Sequence, residues 1–381
     1  MLSPSTASAQ DEKMAEFERT WYATCYTEKP INEEKCYQQS KELLAKYPGS
    51  TFAKHATGII KDKDLNAAWQ KFRAALDTYY KPPQDAAKLE SLFASGDAFI
   101  QIEPDQQNPF HLFTLGQMAI AGNQAAALAQ FYKNTDTVKG YVERAMRAFE
   151  TAQASEKTKQ NFDLYVVPLK DLVMANGNQF LGFRLLENDR QQSLDYLTKA
   201  IQVRSKDGVG WKDPFTYWLR STIYVNQYAE TRRPYDAMTD EQKGSDEGKE
   251  IVKKVNTLLD TKLIPEYARV LATATKPGAE ELYANAKREF DNLWKYRTEA
   301  PEKAADYVKN YVNDPTISSV VVPAKPEDSG SLTSPAPTTG PTNVKIAGGT
   351  APAPGAKANG GAVKPTTAKG KTTAKPKGRK R

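Results

Sequence analysis

Asn176 to Glu230 reads NGNQFLGFRLLENDRQQSLDYLTKAIQVRSKDGVGWKDPFTYWLRSTIYVNQYAE. Before Asp189, apolar residues fall at Phe180, Leu181, Phe183, Leu185 and Leu186, which is helical spacing with a wide apolar face. Asn188 and Asp189 break that helix, and Asp189 is an N-cap for the next. The second segment places Leu194, Leu197 and Ile201 on one stripe, with Tyr196 and Ala200 on its flank. It is expected to end near Lys206, Asp207 and Gly208. Asp213 and Pro214 restart a helix, because aspartate caps and proline suits the first helical position. Each helix is too short to stand alone and must bury its stripe on neighbours. The fold class expected is therefore all-α.

The alternation resembles the tetratricopeptide repeat, a helix pair of about 34 residues with a fixed pattern of large and small positions. Leu181-Gly182 and Leu185 match its first helix, and Ser193, Leu197 and Ala200 match its second. The halves are one residue out of register, and the tryptophan and final proline of the pattern are missing. Two other places carry the likeness: Cys36, Ser40, Leu43 and Pro48, and Leu115-Gly116. Trp294 to Arg297 and Asp314-Pro315 are also similar to bacterial proteins of this repeat class, often exported ones. The resemblance implies an α-solenoid of about five to seven antiparallel helix pairs. It further implies a non-enzymatic protein–protein scaffold, with a protein or peptide partner on the concave first-helix surface. Asn178, Arg184, Tyr217 and Arg220 lie on those first helices and are the partner-binding candidates.

Residues 1–10 read as a disordered stub in which Ala7-Ser8-Ala9 has the small-x-small form of an export-signal cleavage site. A periplasmic or secreted location is one expectation and a cytoplasmic one the alternative. Residues 11–315 form the helical domain. It opens with a hairpin over Asp11–Pro48, turned at Lys29-Pro30 and capped at Asn32. The only cysteines, Cys25 and Cys36, sit almost symmetrically about that turn. An antiparallel hairpin brings them level, so they form either a disulfide or a pair of packed thiols. Further helices are expected over Lys63–Lys81, Asp85–Ile102, Asn108–Ile120, within Gln124–Thr151, and over Thr158–Ala175 with a kink or restart at Pro168. Thr231 to Lys249 reads as a polar surface loop, followed by a helix over Glu250–Thr275 kinked at Pro265, then Gly278–Arg297 and Pro301–Tyr311. Residues 316–323 are a short extended segment.

Residues 324–381 carry 11 Lys/Arg, 2 Asp/Glu and no aromatic residue, and are expected to be disordered. The other 323 residues hold 42 basic and 44 acidic groups, so the basic balance belongs to the tail. Lys369, Lys371, Lys375, Lys377, Arg379, Lys380 and Arg381 are spaced charges suited to a polyanion such as nucleic acid, an anionic lipid surface or an acidic envelope polymer. No run of eighteen apolar residues spells a transmembrane helix. No phosphate loop, dinucleotide fingerprint, nucleophile elbow or zinc-protease motif is present. His55 and His111 stand alone, and two cysteines with two distant histidines fall short of a zinc set. No enzyme activity, cofactor or metal is expected.

Overall fold

The computed structural model describes residues 6–127, 132, 134–205, 210–275, 277–325 and 332. The helices in chain order are α1 (Thr6–Tyr22), α2 (Glu33–Lys46), α3 (Ala53–Tyr79), α4 (Ala86–Ile102), α5 (Pro109–Ala127), α6 (Thr135–Thr151), α7 (Lys159–Asn161) and α8 (Val167–Leu185). They continue with α9 (Arg190–Gln202), α10 (Pro214–Asp236), α11 (Asp240–Lys243), α12 (Asp246–Leu258), α13 (Ile264–Thr273), α14 (Glu280–Arg297) and α15 (Ala304–Lys309). Among the described residues only two isolated bridges, and no strand, accompany them. The all-α class is therefore the observed one. Helices pack on sequence neighbours, α3 on α4, α5 on α6, α8 on α9 and α13 on α14, and also across intervening helices, α5 on α8 and α10 on α13.

The expected caps at Asn32, Asp189 and Asp213 form, and Asp85 caps α4 in the same way: each side chain accepts the backbone N–H three residues on, which satisfies a donor the helix itself leaves open. Several expected boundaries are corrected. The stub is helical from Thr6, and α3 starts at Ala53 rather than Lys63, because Ala56 and Ile59 seat that first stretch against the hairpin core. Helix α5 runs through Ala121-Gly122-Asn123: a Cβ on Gly122 would lie 2.9 Å from the Phe93 ring, so this glycine serves a close approach and breaks nothing. Asn176-Gly177 likewise lies inside α8. Helix α9 ends at Gln202, short of Lys206-Asp207-Gly208, which lie outside the described residues.

The expected loop over 231–249 is helical. Helix α10 continues to Asp236, Thr239 and Gln242 make a reciprocal capping box for α11, and Ser245 caps α12. Pro168 and Pro265 each stand second in an α-helix that follows a π turn, over Phe162–Val166 and Leu259–Leu263, so the turn ends two residues before each proline. Proline has no N–H for the carbonyl four residues back, so the helix rearranges just upstream.

One apolar core runs from α3 to α8, around Phe72, Phe99, Phe149 and Phe180. A second runs from α9 to α14, around Tyr217, Tyr228, Tyr267, Phe290 and Trp294. Leu197, Leu219 and Ile223 form a small patch between α9 and α10. Trp21, Cys25, Cys36, Leu43 and Ala56 form the core of the N-terminal hairpin. The segment after α15 passes back over the second core. Val322 and Leu332 are buried there, and Lys325 donates its N–H to Arg297 O at 2.8 Å. The chain thus remains packed beyond residue 323, where the tail was expected to begin. The seven tail cations from Lys369 to Arg381 lie outside the described residues.

Candidate functional site

Two glycines on α8 create a trough. A Cβ on Gly177 would sit 2.4 Å from Met146 Sδ of α6, and one on Gly182 would sit 2.7 Å from Leu197 Cγ of α9. Five positions separate them, so they face different sides of α8 and let α6 and α9 close in on either flank. The hydroxyl of Ser193 fastens the α9 side by donating to Gly182 O at 2.7 Å. Between the two flanking helices lies a cavity of about 600 Å³. Met174, Asn178 and Leu181 of α8 form its floor. Glu143, Met146, Arg147 and Glu150 form the α6 wall, and Tyr196, Lys199, Gln202 and Val203 the other. Each row spans eight residues, or about 10 Å from end to end.

The trough is apolar below and charged at the rim. Met146, Met174, Leu181, Tyr196 and Val203 supply the apolar surface, with acid and base side by side above it. Lys199 Nζ lies 5.4 Å from the Tyr196 ring, and Lys139 pairs with Glu143 at 3.7 Å. Such a surface binds by burying apolar side chains, while the rim sets orientation. Two methionines give it adaptable shape.

The four candidate partner residues do not converge. Asn178 is in the trough floor, where its amide donates to Met174 O at 2.8 Å. Arg184 ties α8 to the start of α6 through Asp136 at 2.8 Å. Tyr217 is fully buried, donates its hydroxyl to Trp211 O at 2.7 Å and is closed to any partner; burial pushes its phenol well above the usual range. Arg220 meets the buried Glu266 at 3.3 Å. The first-helix positions therefore divide between a surface and an interior. Periodicity gave both an apolar neighbour pattern, and only packing separates them.

Other positions are plain in the structure. Cys25 and Cys36 are joined in a disulfide with their Cα atoms 5.1 Å apart, the first of the two forms their placement allowed. His55 packs edge-on against Phe52. His111 is buried with Nδ1 2.7 Å from Glu103 O, and burial holds its pKa below the ordinary value. Burial likewise pushes the Asp213 carboxyl up, although Thr216 and Gln179 donate to it. Among the described residues no three His, Cys, Asp or Glu side chains gather as a metal set, and no helix is long and apolar enough to cross a membrane. The trough had a faint signal in the sequence: Met146 and Met174 sit on helix faces whose neighbours are charged. Compared with protein-family models, curated proteins and solved structures, the chain finds no match in any of the three.

Proposed function

We propose that this chain is a non-enzymatic scaffold of tetratricopeptide-like helix pairs, stacked as a solenoid, that holds a partner segment in the trough over α8. The observation that carries the reading is the trough itself: an apolar floor of Met174 and Leu181 between charged walls, flanked by two close helix contacts that glycine permits. Sequential packing of α5/α6 and α8/α9 supports the repeat reading. The partner is an amphipathic helix or short peptide with apolar residues about two helical turns apart, which matches the spacing of Met174 and Leu181 in the floor. A photo-crosslinking residue at Gln202 in the native cells tests it. The expected outcome is crosslinking to a discrete partner, reduced at least about tenfold by Met174→Lys while helicity is unchanged. Crosslinking that ignores Met174→Lys, or none at all, overturns the reading.

We further propose that the chain works in an oxidising compartment, either periplasmic or extracellular. The Cys25–Cys36 disulfide supports this, since such bonds persist where thiols are not kept reduced. Thiol titration of protein denatured straight from its own cells should find no free cysteine. Two free thiols would sink the proposal.

A further inference from the structure

All three surfaces of the trough are helical, with α8 below and α6 and α9 on either side. Both walls run against α8. Arg184 near the end of α8 meets Asp136 at the start of α6, and Ser193 near the start of α9 bonds to Gly182 O. The two walls therefore run in the same direction. Their close contacts with α8 set the levels: Gly177 lies beside Met146, and Gly182 beside Leu197. Glu143 and Tyr196 thus stand at the Leu181 end, and Glu150, Gln202 and Val203 at the Met174 end.

Such walls choose the form of what they hold. Inside a helix the backbone N–H and C=O groups are already spent on the helix's own ladder, so the trough offers no row of backbone groups to an extended peptide. Its neutral polar side chains are Asn178, Tyr196 and Gln202, and the Asn178 amide already donates to Met174 O. An extended chain laid on Met174 and Leu181 buries more backbone groups than these can satisfy, and each one left over is costly. A helix arrives with its backbone satisfied. It meets Met174 and Leu181, seven positions apart, with one apolar residue every two turns.

The two ends of the trough differ in charge. At the Leu181 end Glu143 stands across from Lys199 and pairs with Lys139 at 3.7 Å. At the Met174 end stand Glu150 and the C-termini of both walls, since α6 stops at Thr151 and α9 at Gln202. Helix C-termini carry partial negative charge, which adds to that of Glu150. Arg147 lies between the two acids of its wall.

We infer that the trough takes one α-helix of a partner protein, laid antiparallel to α6 and α9, with its N-terminal turn and a lysine or arginine at the Glu150 end. The inference rests on the reading of the trough as the binding site and adds the occupant's form, direction and charge. The positive end of the partner helix meets the negative end of the trough. Its apolar residues, seven positions apart, cover Met174 and Leu181, and an acid two turns on from its first turn meets Lys199.

The test uses the full chain in its own cells. The probe is a photo-crosslinking benzoylphenylalanine, placed at Gln202 in one variant and at Tyr196 in a second, and mass spectrometry maps the residue each reaches on the partner. The two positions are six residues apart on α9, about 9 Å. Both should reach the same helix of one partner, and the site reached from Tyr196 should lie about six residues nearer that partner's C-terminus. Glu150→Lys should lower the yield from Gln202 at least about fivefold with helicity unchanged, and Glu150→Gln should lower it less. Mapped sites about three residues apart have the spacing of an extended chain, and sites in the reverse order belong to a helix laid the other way. Either result overturns the inference and leaves the trough as the binding site, and so does a yield indifferent to Glu150→Lys. Crosslinks that ignore Met174→Lys, or none from either position, overturn the reading of the trough itself and the inference with it.

Discussion

The two cores are built from different chemistry. The core from α3 to α8 is closed by rings, aliphatics and neutral polar groups such as His111, Gln117 and Asn123. Its helices are brought close by glycine, and its cross-helix polar links are hydrogen bonds such as Asn123 Nδ2 to Asn176 O at 2.8 Å and Tyr79 Oη to Ala121 O at 3.1 Å. The core from α9 to α14 buries full charges. Glu266, Arg269, Glu289 and Arg297 are all nearly inaccessible, and Arg297 makes a two-pronged contact with Asp260 at 2.8 and 2.7 Å. An apolar interface forms wherever two stripes meet and is tolerant of small slips. An ionic one is costly unless each charge finds its partner, so it fixes a single arrangement. The first core thus supplies bulk cohesion, and the second fixes the path of a chain segment laid over it.

Removal of Glu266 should break this comparison most sharply. Glu266→Ala leaves Arg220 and Arg269 buried without their shared carboxylate and is expected to cost about 3–5 kcal/mol. Hydrogen exchange would show where the loss falls. If the cores are separable, α10, α13 and residues 314–322 lose protection while α3 to α6 keep theirs. Equal loss in both would show one cooperative unit and remove the distinction.

A smaller effect is expected at the joint between the trough and α9. Gly182→Ala places a methyl 2.7 Å from Leu197 Cγ and 3.2 Å from Ser193 O, so α8 and α9 must separate slightly. The expected cost is about 1–3 kcal/mol, read as a shifted denaturant midpoint. A neutral result would mean that the close approach is not needed to shape the trough.

The smallest effect sharpens the neutral character of the first core. Burial, with the Arg144 charge nearby, depresses the His111 pKa, against the pull of Glu103 and Asp105. The unfolded chain therefore binds the proton first as pH falls below the ordinary value of 6.5. Stability should be level above that pH and decline below it, down to the folded pKa. His111→Gln should remove that part of the decline in thermal unfolding at pH 7.5 and 5.5. An unchanged pH dependence would show that His111 does not titrate against folding.

Much of the helical pattern was legible because its signals are local. Asp189, Asp213 and Asn32 announce helix starts by their own capping chemistry, and Pro168 and Pro265 announce an interruption of the helix, a π turn just upstream, by their missing N–H. Three misread positions share one cause. Gly122, Asn123 and Gly177 look like breaks in a linear reading, yet each is spent on a neighbour far away in sequence. Thr231 to Lys249 looked like a loop because it is polar, although its threonine and serine caps were visible in the sequence.

By itself, then, the sequence determined the helices, the turn that sets Cys25 level with Cys36, and the separation of a neutral body from a basic tail. Those properties rest on short-range periodicity, capping and charge count. Tertiary structure alone decided that Tyr217 is interior while Asn178 lines a trough, and that Arg269 reaches across to Pro315 and Ile317. Such contacts join residues tens of positions apart, and no local pattern records which buried face will meet which.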